Sequence, residues 1–303
     1  MPLSVAANHQ TGPDRRGLFA AFGAYLMWGF LPLYLILVQA VPSAEFVAWR
    51  IIFTVPICLL IIMVRKQMPE IRAAMANRRV LLTLFCTAIL IAINWFVYVW
   101  AIQNGHVYAA SLGYYINPLL NVVLGTFFLG ETLSRRQWFA VALAASGIAL
   151  LLGGALTTLW ISLTLASSFA TYGLLRKTVA VGSLPGLTIE SVLLLPLAFG
   201  IAWVFASGAS GSAITVSPEL TTAIFLGGVL TAVPLLLFAI AARMMDYSTL
   251  GFIQFLAPTI VFILGLTVFG EELQMLQLAC FVMIWSAAAI FVWDLVQRSR
   301  RPA

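Results

Sequence analysis

Residues 111–131 read SLGYYINPLLNVVLGTFFLGE, and residues 251–271 read GFIQFLAPTIVFILGLTVFGE. Superposed without a gap, they align Pro118 with Pro258, Gly125 with Gly265, Gly130 with Gly270 and Glu131 with Glu271, all at one offset of 140 residues. The same offset pairs Pro56 with Pro196, Ala92 with Ala232, Ala101 with Ala241 and Ala149 with Ala289, so the repeat runs through the chain on both sides. Within each copy the distinctive residues recur at spacings of three and four, which places them on one helix face. That face carries Ser111, Tyr114, Pro118, Asn121 and Gly125 in the first copy, and Gly251, Gln254, Pro258, Val261 and Gly265 in the second. Small residues there admit a close backbone approach, and a proline deletes one intrahelical hydrogen bond and frees a carbonyl. Pro118 and Pro258 are therefore expected to kink their helices, either for tight packing or to present a carbonyl to a protein-lined cavity.

Of the 303 residues 62% are hydrophobic and only 9% are charged, and the mean hydropathy is +1.05. An ordinary soluble domain holds about 25% charged residues, so the composition is that of an integral membrane protein. Apolar runs of about 20 residues recur, each long enough to cross a hydrocarbon core of roughly 30 Å as a helix; a barrel would show short alternating segments instead. Ten membrane helices are expected, at 17–39, 45–64, 80–103, 107–129, 136–153, 158–176, 186–206, 220–242, 247–269 and 273–295, with polar tails at 1–16 and 296–303. The net charge of +6 does not indicate nucleic acid, because the basic residues sit in short loops between apolar runs. Cys58, Cys86 and Cys280 lie in three separate apolar runs without metal-ligand spacing, so no cofactor or metal is expected.

Charge placement orients these helices. With the N-terminus inside, fifteen of the sixteen Lys and Arg residues fall in inner segments, the exception being Arg50 within a helix, while the outer loops hold only glutamates. The positive-inside rule thus places both termini in the cytoplasm. Five helices per repeat is an odd number, so the second unit (154–295) enters the membrane from the side opposite to the first (17–153). Two inverted-topology units, related by a two-fold axis in the membrane plane, are the architecture of carriers that expose a midplane site to each side in turn.

Several stretches resemble a known family: AYLMWGFLPLY at 24–34, NWFVYVWAIQNGH at 94–106, ASLGYYINPLLNVVLG at 110–125, YGLLRK at 172–177, IESVLLLP at 189–196 and STLGFIQFLAPT at 248–259. Together with the Gly-Glu dipeptides that close each proline helix, they resemble the EamA units of the drug/metabolite transporter superfamily, and more narrowly the RarD-type permeases. The resemblance implies a ten-helix inner-membrane carrier of small metabolites or drugs, commonly an exporter, with a cavity between its halves.

The candidate transport residues are few. Arg50 is the costliest residue to place in a membrane; it either snorkels to the outer headgroups or holds an anionic or carbonyl group near an outer gate. Its repeat partner is Glu190, a candidate for binding a cation or proton on the inner side. At about 1.5 Å per residue the two should lie roughly 14 Å apart, too far for a direct ion pair. Asn94 and Tyr98, four residues apart beside Trp95, share a face that serves either ligand contact or an interhelical hydrogen bond. Tyr114, Asn117 and Gln254 extend a ring of hydrogen-bonding groups, and Trp28 and Tyr172 join Tyr98 as aromatic cavity candidates. Such a cavity suits neutral or zwitterionic organic solutes better than phosphorylated ones. The sequence holds no paired catalytic carboxylates, no metal-protease motif and no phosphate-binding loop, so an enzyme is not expected and uphill transport would draw on an ion gradient such as protons. A channel and a non-transporting scaffold are the competing readings.

Overall fold

A computed structural model describes residues 15–152, 156–209, 211–270 and 272–299; most of the expected N-terminal tail, half of the C-terminal one, and Glu271 lie outside them. The described residues are helical, with no strand. The α-helices are α1 Arg15–Gly29, α2 Leu31–Leu35, α3 Ser43–Val64, α4 Met68–Ala76, α5 Arg78–Gln103, α6 Val107–Leu129, α7 Arg135–Leu152, α8 Leu159–Thr178, α9 Ser183–Ser207, α10 Pro218–Met244, α11 Tyr247–Gln254, α12 Leu256–Thr267 and α13 Met275–Ser299.

Their ends follow local chemistry. The Asn77 side chain caps α5 by accepting from the backbone N–H groups of Arg79 and Val80, and the Ser217 side chain caps α10 by accepting from that of Leu220. Gly130 closes α6 in the left-handed conformation at φ +67°, and its repeat equivalent Gly270 has the same φ of +67°. The short α4 occupies what the sequence reading left as a loop; Pro69 and Glu70 in its first turn favour a helix start.

Among the described residues eight stretches are long and apolar enough to cross a membrane, two fewer than expected. The two that fall short have identifiable causes: α7 opens on Arg135, Arg136 and Gln137, and α8 carries Ser162, Thr164, Ser167, Ser168 and Thr171. Helix α8 is nonetheless largely buried, packed against α5, α6 and α10. Helix α1 packs on α10 and α12, α3 on α9 and α10, α5 on α8 and α9, α6 on α8 and α11, and α7 on α13. The perimeter is apolar, with Phe127 80%, Phe19 76% and Trp203 74% exposed, as a lipid-facing surface requires.

Two of the expected helices are interrupted. Pro258 cannot donate to the carbonyl of Gln254, and the ninth expected helix breaks at Phe255 between α11 and α12. Pro32 stands in the same relation to Trp28, and the first breaks at Phe30 between α1 and α2. The kink expected at Pro118 is not a break: α6 runs unbroken through it. There α11 seats Gly251 so closely that a Cβ would lie 2.8 Å from the Pro118 carbonyl oxygen, so the two helices pack backbone to backbone beside the proline.

Candidate functional site

Glycines on α10 let α3 approach, and this contact positions the first site residue. A Cβ at Gly228 would lie 2.6 Å from the Phe53 Cβ, and one at Gly227 3.2 Å from the Arg50 Cγ. The Arg50 stem is thereby laid along α10, where its Nε donates to the Thr231 hydroxyl at 2.7 Å. Its guanidinium lies over the rings of Trp95 and Phe46, 5.1 and 5.4 Å from their centroids. Arg50 is 5% exposed and therefore does not snorkel to the surface.

Arg50 lines a cavity of about 660 Å³. Trp28, Asn94, Trp95, Tyr98, Tyr114 and Gln254 also line it, as does Pro258, so seven of the ten expected site residues share one wall. Tyr98 and Tyr114 meet edge to face at 5.3 Å, joining α5 to α6. Asn94 makes the interhelical bond of its two readings: its amide donates to the Leu165 carbonyl at 2.9 Å and to the Ser168 hydroxyl at 3.0 Å on α8, and the residue also borders the cavity. The Gln254 side-chain oxygen accepts from Asn121 at 3.0 Å, tying α11 to α6. At one end the lining includes the exposed Gln39 and Gln274, which form an open rim. At the other end Tyr25, Trp28 and Phe169 close the floor, with Trp28 and Phe169 edge to face at 5.4 Å. The helix breaks at Phe30 and Phe255 follow the lining residues Trp28 and Gln254, and a Cβ at Gly29 would lie 2.7 Å from Ile260, so the two broken helices meet beside the cavity.

The other three expected residues lie elsewhere. Asn117 is 1% exposed on α6 and outside the cavity lining; its side-chain amide has no hydrogen-bond partner. Tyr172 and Glu190 sit beyond the floor in a buried polar cluster that the sequence reading did not assemble. Glu190 accepts from the Thr87 hydroxyl at 2.6 Å and the Tyr172 hydroxyl at 3.4 Å. Its Oε1 lies 3.6 Å from the Nε of Arg176, and the two side chains are 1% and 0% exposed. Arg176 was counted among the inner-loop cations because it ends an apolar run. Its spacing of fourteen residues from Glu190, across a single turn, is the signal that could have found the pair. As the sequence reading expected, Arg50 and Glu190 make no direct pair; each has its own partners.

More inter-helix ties occur on the same side of the floor. Lys177 donates to the carbonyls of Ala242 and Met245, complementing the C-terminal end of α10. Arg243 donates to the carbonyls of Val179 and Val181. Glu131, the repeat glutamate, accepts from the backbone N–H groups of Tyr247 and Ser248 and so caps α11. The end opposite the rim is thus both packed and hydrogen-bonded shut.

Comparison with known proteins matches the model of the EamA-like transporter family to residues 15–153. An uncharacterized transporter of Pseudomonas aeruginosa is 42% identical over 288 residues, covering 95% of this chain and 96% of that protein. Protein RarD of Escherichia coli is 38% identical over 294 residues, covering 95% of this chain and 97% of its own. A solved crystal structure with 17% identity superposes with a TM-score of 0.74 over 94% of this chain and 99% of the other, a likeness of fold alone.

Proposed function

Since this chain belongs to the EamA-like transporter family and is a multi-pass membrane transporter of the RarD type, we propose that it is a secondary carrier exporting small organic metabolites or drugs across the bacterial inner membrane by alternating access. The one-ended cavity carries this reading: about 660 Å³, within the usual range for small ligands, open at the Gln39 and Gln274 rim and sealed at the other end. A channel would need a path past Tyr172, Arg176 and Glu190, all of them buried and engaged with one another.

The pairing of helices supports two five-helix units, 17–153 and 154–295, with inverted topology. Exchanging each of the ten expected helices for its equivalent five places along turns the α6–α8 contact into α12–α1, α1–α10 into α8–α5, and α3–α10 into α9–α5. The same exchange leaves the α3–α9, α6–α11 and α7–α13 pairs unchanged. A two-fold axis through the cavity accounts for all six. The positive-inside rule puts the sealed end, with Arg176, Lys177 and Arg243, in the cytoplasmic half. The cavity then faces the periplasm, and the structure is the outward-open state. The substrates are unphosphorylated, because the lining supplies a single cation.

Counterflow tests the proposal. Solutes that raise the melting temperature of the purified protein are loaded into proteoliposomes, and uptake of the labelled solute is followed. A carrier shows uptake accelerated by internal solute. Flux without that acceleration indicates a channel, and absence of flux for every binding solute removes the transport reading for this chain.

A further inference from the structure

The cavity is electrically unbalanced. Among the described residues that line it, Arg50 is the only charged one, and no carboxylate faces it. The nearest acidic residue along α3, Glu45, is engaged elsewhere: it is 1% exposed and its Oε1 accepts from the Ser212 hydroxyl, the Ala213 backbone N–H and the Trp49 ring N–H. Glu190, the repeat partner of Arg50, is committed to Arg176. Arg50 itself uses Nε on Thr231 and lies over the rings of Trp95 and Phe46, and its two terminal nitrogens make no hydrogen bond to any described residue. A buried guanidinium held at Nε and against two rings keeps the donors of its terminal N–H groups, and this edge matches a planar carboxylate through two parallel hydrogen bonds.

Resting on the carrier reading above, we propose that the transported solutes are aromatic or similarly apolar monocarboxylates, with the carboxylate on Arg50 and the apolar body against Trp28, Tyr98, Phe169 and Phe281. One fixed positive charge in a desolvated site neutralises one negative charge, so a phosphate dianion leaves a surplus charge and an amine adds a second cation. The aromatic walls supply the area for the apolar body, and Thr231 is a positioning residue that aims the guanidinium.

The test uses the full-length protein in detergent, with binding measured by calorimetry for four probes of similar shape: 3-phenylpropanoate, 3-phenylpropan-1-ol, 3-phenylpropylamine and benzyl phosphate. The carboxylate is expected to bind at least ~10-fold more tightly than the alcohol, the usual margin of a charge-assisted hydrogen bond, with the amine and the phosphate weaker still. In Arg50→Gln the carboxylate falls to the level of the alcohol while the alcohol is unchanged; in Thr231→Val the carboxylate weakens by ~3- to 10-fold and the alcohol does not. Equal binding of carboxylate and alcohol by the wild-type protein, or tighter binding of the amine, overturns the proposal without recourse to any variant. An Arg50→Gln protein that weakens both probes alike shows Arg50 to be structural and overturns it too. Selective carboxylate binding without counterflow would leave the anion site standing and remove the carrier reading, whereas counterflow of the alcohol or amine in preference to the carboxylate would do the reverse.

Discussion

Glu190→Gln is the most informative single change, because glutamine keeps the shape and, with its carbonyl oxygen at the Oε1 position, the bond from Thr87, while deleting the charge and giving up only the longer bond from Tyr172. At the 3.6 Å separation of Arg176 Nε and Glu190 Oε1, the attraction is roughly 4.6 kcal/mol at an effective dielectric of about 20. That separation is too long for a hydrogen bond, and Nε and Nη1 of Arg176 have no other partner, so charge holds this side of the arginine. Only Nη2, donating to the Ser183 carbonyl at 2.7 Å, is otherwise satisfied. Deleting one member of a buried pair leaves an uncompensated charge at a cost of about 3–5 kcal/mol, whereas deleting both is close to neutral. Glu190→Gln should therefore lower the melting temperature by roughly 5–10 °C, taking about 2 °C per kcal/mol for a chain of this size. Arg176→Gln with Glu190→Gln should recover most of that loss. If the cycle gives a coupling below about 0.5 kcal/mol, the Arg176–Glu190 pair does not hold the sealed end together.

Gly186→Ala attacks the same pair sterically: its Cβ would lie 1.9 Å from Arg176 Nη1, so a loss of about 1–3 kcal/mol is expected by thermal unfolding, and a melting temperature equal to wild type would contradict the packing described. Glu131→Ala removes two acceptors from the start of α11 and should cost about 1–2 kcal/mol, with faster hydrogen exchange confined to the amides of Tyr247 and Ser248; unchanged exchange there would rule out the cap. Gly228→Ala sets a Cβ 2.9 Å from the Phe53 carbonyl carbon, backbone that cannot rotate away, so α3 and α10 must separate; normal stability with full 3-phenylpropanoate binding would refute that contact. For orientation, Gln274→Cys in a Cys86→Ser background should react with an impermeant thiol reagent in intact cells, and Lys66→Cys only after permeabilisation; the opposite pattern inverts the assignment of the two faces.

Much of this architecture is written in local terms that survive without a structure. Hydropathy, the 140-residue register and the prolines are properties of single segments, and they located the helix in which Pro258 produces a break and the seven residues that share the cavity wall. Arg50 stood out because an arginine in an apolar run is expensive wherever the chain folds. The pairing across helices was not legible. Asn117 is an asparagine inside an apolar helix just as Asn94 is, yet it is buried outside the cavity lining. Arg176 looked like a loop cation because its burial depends on α9 folding back over it at Gly186. Glu131 was visible as a repeated residue, but its role as a cap requires the start of α11 to be brought to it from the other half of the chain.

By itself, then, the sequence determined a membrane-embedded helical chain with an internal duplication and one isolated intramembrane cation, since all of these follow from solvation cost and spacing along the chain. Only the tertiary structure decided which groups engage that cation, and which end of the cavity is closed. Both are set by where glycines let one helix meet another, a relation between residues about 180 positions apart in the case of Arg50 and Thr231, which no spacing rule within a helix reaches.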